Sequence, residues 1–297
     1  MEANRNSSKS LWSYIGLLVV AMIWGGAFVV VKNTLVIVQP SYLVAIRFSI
    51  AFVAMLAVFG SRLKGMRKST FVHGLIVGGC LFAAYLIQTI GCNYTTAGKN
   101  AFLTAIYIII VPFIHWILKK QKPENRLFAA AVIGLVGIGF ISLDERLSMG
   151  IGDILTIICG FFFAMQIAFQ DEYVEKDDPV VICLIEMFVC GAGGWICAPF
   201  IDGRLNTEGL LSGPTIFGIL FLGLVCSLIC QLLQSVCQKY TKPESASLIM
   251  SMESLFGALS SMIFLHERMT GRVIAGCILM MIAILLSQLD PVSITKK

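Results

Sequence analysis

Ten long stretches of apolar residues follow one another along the chain, separated by short polar segments. A helix needs about 20 apolar residues to cross a bilayer, and each stretch has close to that length. The stretches are too continuous for the alternating pattern of barrel strands. The pattern therefore predicts ten transmembrane helices with these approximate bounds: Leu11–Val31, Ser41–Gly60, Phe71–Ile90, Asn100–Leu118, Leu127–Leu143, Gly150–Phe169, Pro179–Phe200, Thr215–Val236, Ala246–Leu265 and Gly271–Leu289.

The composition excludes the main classes of water-soluble protein. Of the 297 residues, 58% are apolar and only 13% are charged, whereas a soluble domain has about 25% charged residues. A chain this apolar would aggregate in water. The net charge of +5 comes from short basic clusters between apolar stretches, which is not the pattern of a nucleic-acid binder. We predict an all-α polytopic membrane protein that contacts the lipid bilayer and no nucleic acid.

The distribution of Lys and Arg predicts that both termini are cytoplasmic. With the N-terminus inside, fifteen of these residues fall on the inner side, six fall on the outer side, and Arg47 lies within a span. This excess matches the positive-inside rule. The polar N-terminal segment leads directly into a full-length span without a small-residue cleavage site, so we do not expect a cleaved signal peptide. No transit peptide is visible, and we therefore expect the cell membrane as the location.

An internal repeat divides the ten spans into two groups of five. The second span begins at Pro40 and carries Arg47 seven residues later, and the seventh begins at Pro179 and carries Glu186 seven residues later. An odd number of helices per half gives the halves opposite orientations in the membrane. The sequence therefore predicts two inverted five-helix repeats, with bounds 1–146 and 147–297.

Short motifs occur in a fixed order along essentially the whole chain. They are Trp24-Gly25-Gly26-Ala27-Phe28, Arg47-Phe48, Leu86-Ile87-Gln88-Thr89-Ile90-Gly91, the run from Tyr94 to Thr104, Pro112, Met252-Glu253-Ser254, the run from Phe264 to Thr270, and Gly276. Together they resemble the drug/metabolite transporter superfamily, specifically its ten-helix EamA-type members. The resemblance implies a small-molecule transporter, usually an exporter of amino acids or related metabolites, with its substrate site near the membrane midplane between the halves.

Two positions depart from the family pattern. The family often has a proline after the acidic position of the ninth span, where this chain has Ser254. The first half also lacks a clean acidic counterpart to Glu267.

Charged residues inside the predicted spans are the first candidates for a site, because a charge at the bilayer centre costs at least about 2.5–3.5 kcal/mol. Glu253 lies near the middle of the ninth span, and Glu186 lies about two turns from the inner end of the seventh. We predict that both bind substrate or carry a coupling ion; the alternative is a buried structural carboxyl. Arg47 is predicted to be a structural or gating charge, with Glu267 in the outer loop as its partner.

Uncharged polar and aromatic residues, with one lysine at a helix mouth, complete the candidate set. Interhelical hydrogen bonds worth about 0.6–2 kcal/mol could explain any one of them without a function. As a set they predict a polar cavity, and they are Trp24, Tyr85, Gln88, Lys99, Asn100, Tyr107, Gln166, Gln231 and Gln234.

Enzyme motifs are missing from the sequence. It has no HExxH, GxSxG, P-loop or nucleotide fingerprint, and no two of its three histidines share a span. We expect no cofactor and no metal. The leading hypothesis is a secondary transporter, monomeric or homodimeric, that exports a small metabolite by alternating access, with Glu253 contacting a cationic group or carrying a coupling proton. The alternatives are a membrane-embedded enzyme acting on a lipid and a non-transporting sensor or assembly subunit.

Overall fold

Helices make up nearly all of the computed structural model, which describes residues 2–120, 125–142, 149–241, 243–267 and 269–288. The predicted repeat boundary at 146/147 lies outside the described residues. Within them, the helices are α1 Glu2–Thr34, α2 Pro40–Phe59, α3 Lys68–Tyr94, α4 Ala97–Thr104, α5 Tyr107–Lys119, α6 Asn125–Ser142, α7 Ile151–Val174, α8 Pro179–Ile201, α9 Gly213–Leu220, α10 Gln231–Gln238, α11 Pro243–Phe264 and α12 Gly271–Gln288, with a 3₁₀ turn at Gly60–Leu63 and a π-helical segment at Phe221–Cys230.

The membrane-spanning character of the chain is visible in the lengths of its helices. Seven segments of the described chain are long and apolar enough to cross a bilayer, and the last of them runs from Gly213 to Gln238 through α9, the π-helical segment and α10. Three shorter apolar helices lie at Phe128–Ile141, Ile249–Phe264 and Gly271–Leu286. Each coincides with one of the ten predicted stretches. The chain is thus an all-helical polytopic membrane protein, while the count of ten spans and the cytoplasmic placement of both termini stay predictions.

The fourth apolar stretch coincides with one candidate span, Ala97–Leu118, but its helical bonding is interrupted within it. It is broken at Ala105 and Ile106, where the backbone bonds shorten to a three-residue spacing: Ile106 N donates to Leu103 O at 3.3 Å, and Ile108 N donates to Ala105 O at 3.2 Å. Irregular backbone at membrane depth is tolerated where it is buried in protein or lines a cavity. Both residues of the break are buried.

The helices pack mainly in pairs that join residues 2–142 to residues 149–288. The most extensive contacts are α3 on α7, α1 on α11, α6 on α12 and α2 on α8. Two of these pairs, α2 with α8 and α6 with α12, join the second and fifth helical stretches of one half to their equivalents in the other. That pairing is what a two-fold relation between the halves predicts.

Glycines allow some of these helices to approach closely. Gly25 of α1 packs so tightly on α11 that an added Cβ would lie 2.5 Å from Phe256 Cβ and 2.9 Å from Glu253 O. Gly137 of α6 and Gly276 of α12 meet in the same way, because a Cβ on either would lie 3.0 Å or less from the other's carbonyl oxygen. Small residues let membrane helices gain van der Waals contact in the absence of a hydrophobic drive.

A buried carboxylate, Asp177, joins the start of α3 to the turn between α7 and α8. Its Oδ1 accepts from Thr70 Oγ1 at 2.6 Å and from Arg67 Nη2 at 2.8 Å, and its Oδ2 is 2.6 Å from His73 Nδ1. Burial alone would raise the pKa of Asp177, but these hydrogen bonds outweigh it and hold the pKa below its usual value of 3.8. The predicted orientation puts this group, which we call the Asp177 cluster, on the inner side.

We predict that Gly25→Ala destabilises the protein and Gly26→Ala does not. The added methyl group at position 25 overlaps Phe256 and the α11 backbone, whereas a Cβ at Gly26 meets nothing within 4 Å. Overpacking of this kind typically costs about 1–3 kcal/mol. Thermal unfolding of both variants in detergent is the measurement, and equal melting temperatures for the two would contradict the α1–α11 packing described.

We predict that Asp177 contributes most to the stability of the fold above its usual pKa of 3.8. A carboxyl whose pKa is lower in the folded state gives its full contribution above the unfolded pKa and loses it as the pH falls through the folded value. Asp177→Ala should therefore lower the free energy of unfolding by about 1–3 kcal/mol at neutral pH. The difference from the natural protein should shrink in strong acid.

The check is the melting temperature of both proteins as a function of pH, beside Glu175→Ala as an exposed control. A difference between Asp177→Ala and the natural protein that stays constant into acid would show that the charge of Asp177 does not contribute.

Candidate functional site

A cavity lies in the centre of the bundle and takes its walls from both halves of the chain. The volume within it that the centre of a water molecule can occupy is about 50 Å³. Nine of the sequence-predicted residues line it: Trp24, Arg47, Tyr85, Gln88, Tyr107, Gln166, Gln231, Gln234 and Glu253. The fold thus brings these nine residues together around one cavity.

The cavity also has lining residues that the sequence analysis did not single out. Phe28, Phe163 and Met250 add apolar wall, and Thr104, at the break between α4 and α5, adds a hydroxyl group. Thr104 Oγ1 accepts a hydrogen bond from Gln88 Nε2 at 3.1 Å. Apolar residues within a transmembrane stretch carry no signal that separates a cavity wall from a helix contact, which explains the omission.

Glu253 supplies a carboxyl group to the cavity. Its side chain is 4% exposed although it lines the cavity wall. The hydroxyl group of Tyr107 lies beside the carboxyl group. Within the described part of the chain, no basic side chain forms an ion pair with Glu253.

Arg47 supplies a cation to the same cavity. Its side chain is 3% exposed, and its Nε donates to Ser227 Oγ at 2.8 Å. The guanidinium carbon lies 4.8 Å from the ring centre of Tyr85 and 5.1 Å from that of Phe48. An aromatic face attracts a cation, so the two rings help to hold the charge.

The predicted pairing of Arg47 with Glu267 is wrong. Among the described residues, no carboxylate forms an ion pair with Arg47. Glu267 instead accepts from the backbone N–H groups of Ala97 and Gly98 at 2.9 and 3.1 Å. These donors belong to the first turn of α4, where a carboxylate satisfies free N–H groups and is favoured by the helix dipole. Glu267 is thus a helix cap contributed by the opposite half.

Trp24 joins the cavity wall to the π-helical segment. Its indole Nε1 donates to the carbonyl oxygen of Cys226 at 3.1 Å. Ser227, which accepts from Arg47, is the next residue of the same segment. π-Helical turns are rare and occur frequently at functional sites. Two cavity side chains from the first half are therefore anchored on this one irregular segment of the second half.

Asn100 and Lys99, both predicted for the site, lie outside the cavity lining. Asn100 is fully buried and its Nδ2 donates to Thr156 Oγ1 at 2.9 Å, which ties α4 to α7. Lys99 Nζ lies 3.6 Å from Asp153 Oδ2. Asp153 also accepts from Thr95 Oγ1 at 2.5 Å. The contacts of Asn100 and Lys99 join the two halves.

Glu186 is the remaining predicted residue, and it too lies outside the cavity lining. Its side chain is fully buried on α8, and neither carboxyl oxygen has a hydrogen-bond partner within the described chain. Gln166 and Gln231, which do line the cavity, are its neighbours. The side-chain amide of Gln231 also lacks partners among the described residues.

Comparisons with family models and with curated proteins both match this chain to transporters. The model of the EamA-like transporter family matches residues 11–143 and again residues 150–289. An uncharacterized transporter of Archaeoglobus fulgidus is 31% identical over 281 residues, covering 95% of this chain and 87% of that protein. A second uncharacterized transporter of the same organism is 24% identical over 266 residues, covering 86% and 90%.

A solved crystal structure shares the fold. Its TM-score is 0.70 at 13% sequence identity, and the match covers 98% of this chain and 99% of the other.

We predict that Trp24→Phe loosens the π-helical segment. The change keeps an aromatic ring but removes the N–H donor to Cys226 O, a hydrogen bond with a typical net value of about 0.5–1.5 kcal/mol. Amide hydrogen exchange of Phe221–Cys230 should become faster. Trp195→Phe is the matched control, because it removes a similar bond, Trp195 Nε1 to Ser49 Oγ at 3.0 Å, outside the cavity lining. Equal exchange in the two variants would contradict the anchoring role of Trp24.

Proposed function

The chain belongs to the EamA-like transporter family, and from this premise we propose that it is a secondary transporter that carries a small metabolite through the central cavity by alternating access. We further propose an amino acid, or a closely related zwitterion, as the substrate. Export across the cell membrane is part of the proposal and is supported by the family resemblance.

The observation that carries the proposal is that Arg47 and Glu253 both line the same cavity. Each charged side chain is buried and, among the described residues, neither forms an ion pair. Buried charges are strongly disfavoured unless they are paired. A substrate that brings a carboxylate and an ammonium group would pair with both. The guanidinium group is suited to bind a carboxylate through two parallel hydrogen bonds.

The rest of the cavity suits the remaining parts of such a molecule. The amides of Gln88, Gln166 and Gln234 offer hydrogen bonds, and the rings of Trp24 and Phe163 offer an apolar wall. Ligand sites typically combine a mostly apolar lining with a few polar groups that fix orientation. A simple amine would leave Arg47 without a partner, so Arg47 favours a zwitterion over an amine.

Contacts at opposite ends of the bundle support alternating access. The Asp177 cluster joins the halves at the predicted inner side, and Glu267 with the first turn of α4 joins them at the predicted outer side. Rocking of one half against the other opens one side at a time. In the proposed cycle, the Asp177 contacts part in the inward-open state, and the Glu267 contacts part in the outward-open state.

We predict that Arg47 and Glu253 recognise different ends of the substrate. Binding of amino acids, of their amines without the carboxylate, and of their acids without the amine would be measured by thermal shift and calorimetry in detergent. Loss of one charge-assisted hydrogen bond costs about 1.5–3 kcal/mol, which is roughly 10–100-fold in affinity. Glu253→Gln should lose that affinity for amino acids and amines, and Arg47→Gln should lose it for amino acids and acids.

The sharpest test removes the carboxylate from the ligand and the guanidinium group from the protein and compares the two effects on affinity. In Arg47→Gln, the amino acid and its amine should bind with similar affinity, because the group that reads the carboxylate is gone. Glu208→Gln, at an exposed outer-loop position, is the control and should match the natural protein. Undiminished preference for the amino acid in Arg47→Gln would overturn this assignment, and absence of binding and of transport for every class would overturn the proposed substrate.

A further inference from the structure

Glu186 is a buried carboxyl group that the substrate cavity does not use. Its side chain is fully buried on α8, and among the described residues neither of its oxygens has a hydrogen-bond partner. An ionised carboxylate without a cation or a donor is very unfavourable in such a place. The protonated, neutral acid is the form that fits this environment.

The side chains beside Glu186 are also side chains of the cavity lining, so Glu186 lies directly behind the cavity wall. Gln166 of α7 and Gln231 of α10 lie beside the carboxyl group and also line the cavity. Within the described chain, both polar atoms of the Gln231 amide and the carbonyl oxygen of the Gln234 amide have no partner. These free amide groups can accept a water or a proton donor without breaking an existing bond.

A hydrogen-bonded chain leads away from this layer along α7. The amide of Gln166 donates to that of Gln170, which in turn donates to the hydroxyl of Ser235. Ser235 Oγ donates to the carbonyl oxygen of Gln231 at 2.9 Å. Gln170 and Ser235 are each fully buried, so this polar chain is shielded from the lipid.

No opposite charge competes for Glu186 in the described residues. The titratable and charged groups on this part of α8 and on the elements packed against it include Cys80, Cys183, Cys190, Arg47, Tyr85, Cys230 and Cys237. Arg47 donates to Ser227 and stacks on aromatic rings, and none of these groups forms an ion pair or hydrogen bond with Glu186. On the facing part of α7 the polar groups are Gln166 and Gln170, which do not titrate.

We propose that Glu186 is a proton-binding site, separate from the substrate site, and that its protonation couples substrate movement to the proton gradient. The inference rests on the proposed transport function. The carboxylate takes one proton from a hydronium ion, which leaves as water, and the reverse step returns the proton to water on the other side. Displacement of Gln166 and Gln231 opens the path to the cavity.

The division of labour between the two intramembrane glutamates follows from their contacts. Glu253 lines the cavity beside Tyr107, so it is placed to meet a substrate cation. Glu186 contributes no surface to the cavity and has no hydrogen-bond partner among the described residues, so a proton is the ligand that can reach and neutralise it without further space. A sodium ion would require several oxygen ligands arranged around an open volume.

Infrared spectroscopy of the full chain in detergent tests proton binding without a substrate. The natural protein at neutral pH should show the carbonyl stretching band of a protonated carboxylic acid, and this band should disappear on titration to higher pH. Glu186→Gln should remove the component of this band that comes from Glu186, which the difference spectrum against the natural protein isolates, and Glu253→Gln should retain that component. Glu186→Asp is a second variant that keeps an acid and should move the band. An unchanged band in Glu186→Gln, or no such band in the natural protein, would overturn the proposal.

Transport in proteoliposomes tests coupling, with the amino acid that binds best as the probe. Exchange of one proton per substrate lets a one-unit pH gradient support up to about tenfold accumulation, since one pH unit corresponds to a factor of ten. The natural protein and Glu208→Gln should approach this ratio, and Glu186→Gln should stay near equal concentrations on both sides. Gradient-driven accumulation by Glu186→Gln, or accumulation driven by sodium in place of protons, would overturn the coupling role.

The infrared and the transport experiments test different claims, so a negative result in one leaves the other informative. If the natural protein moves none of the tested compounds, the proposed transport function fails, and the infrared band still decides whether Glu186 binds a proton. If transport is observed but Glu186→Gln remains fully coupled, only the present inference fails.

Discussion

The need to pair every buried charge inside an apolar bundle is the constraint on which this structure depends. Lipid offers no partners, so each ionisable side chain must find one within the protein, stay neutral, or meet a ligand. Glu267 and Asp177 follow the first course through backbone and side-chain donors. Among the described residues, Glu186, Glu253 and Arg47 form no ion pair, and these three residues are the ones to which we assign roles in transport.

Close helix packing serves this electrostatic arrangement. The contact of Gly25 with α11 brings Trp24 and Glu253 to the same cavity. The main helix pairs join one half of the chain to the other, and the cavity is lined by residues of both halves. A relative movement of the halves therefore changes the cavity together with the contacts of the Asp177 cluster and of Glu267, as alternating access requires.

Much of this arrangement can be predicted from sequence, because the length of apolar stretches and the cost of buried charge act locally. The ten stretches coincide with helices, and the polar residues of the middle turns, such as Gln88 and Gln231, reach the cavity. Partner choice cannot be predicted in this way. Glu267 caps α4 and Asn100 binds Thr156, because tertiary packing decides which helix end or hydroxyl group lies within reach. The break at Ala105 and the π-helical segment were also missed, since neither interrupts the apolar pattern.

The π-helical segment Phe221–Cys230 sets the rotation of the eighth helical stretch about its axis. Each π turn contains more residues than an α turn, so the side chains beyond it are rotated about the helix axis relative to an uninterrupted α-helix. In an uninterrupted α-helix, Gln231 and Gln234 would therefore point in different directions about that axis. The polarity of the cavity wall thus depends on the helical geometry of this segment.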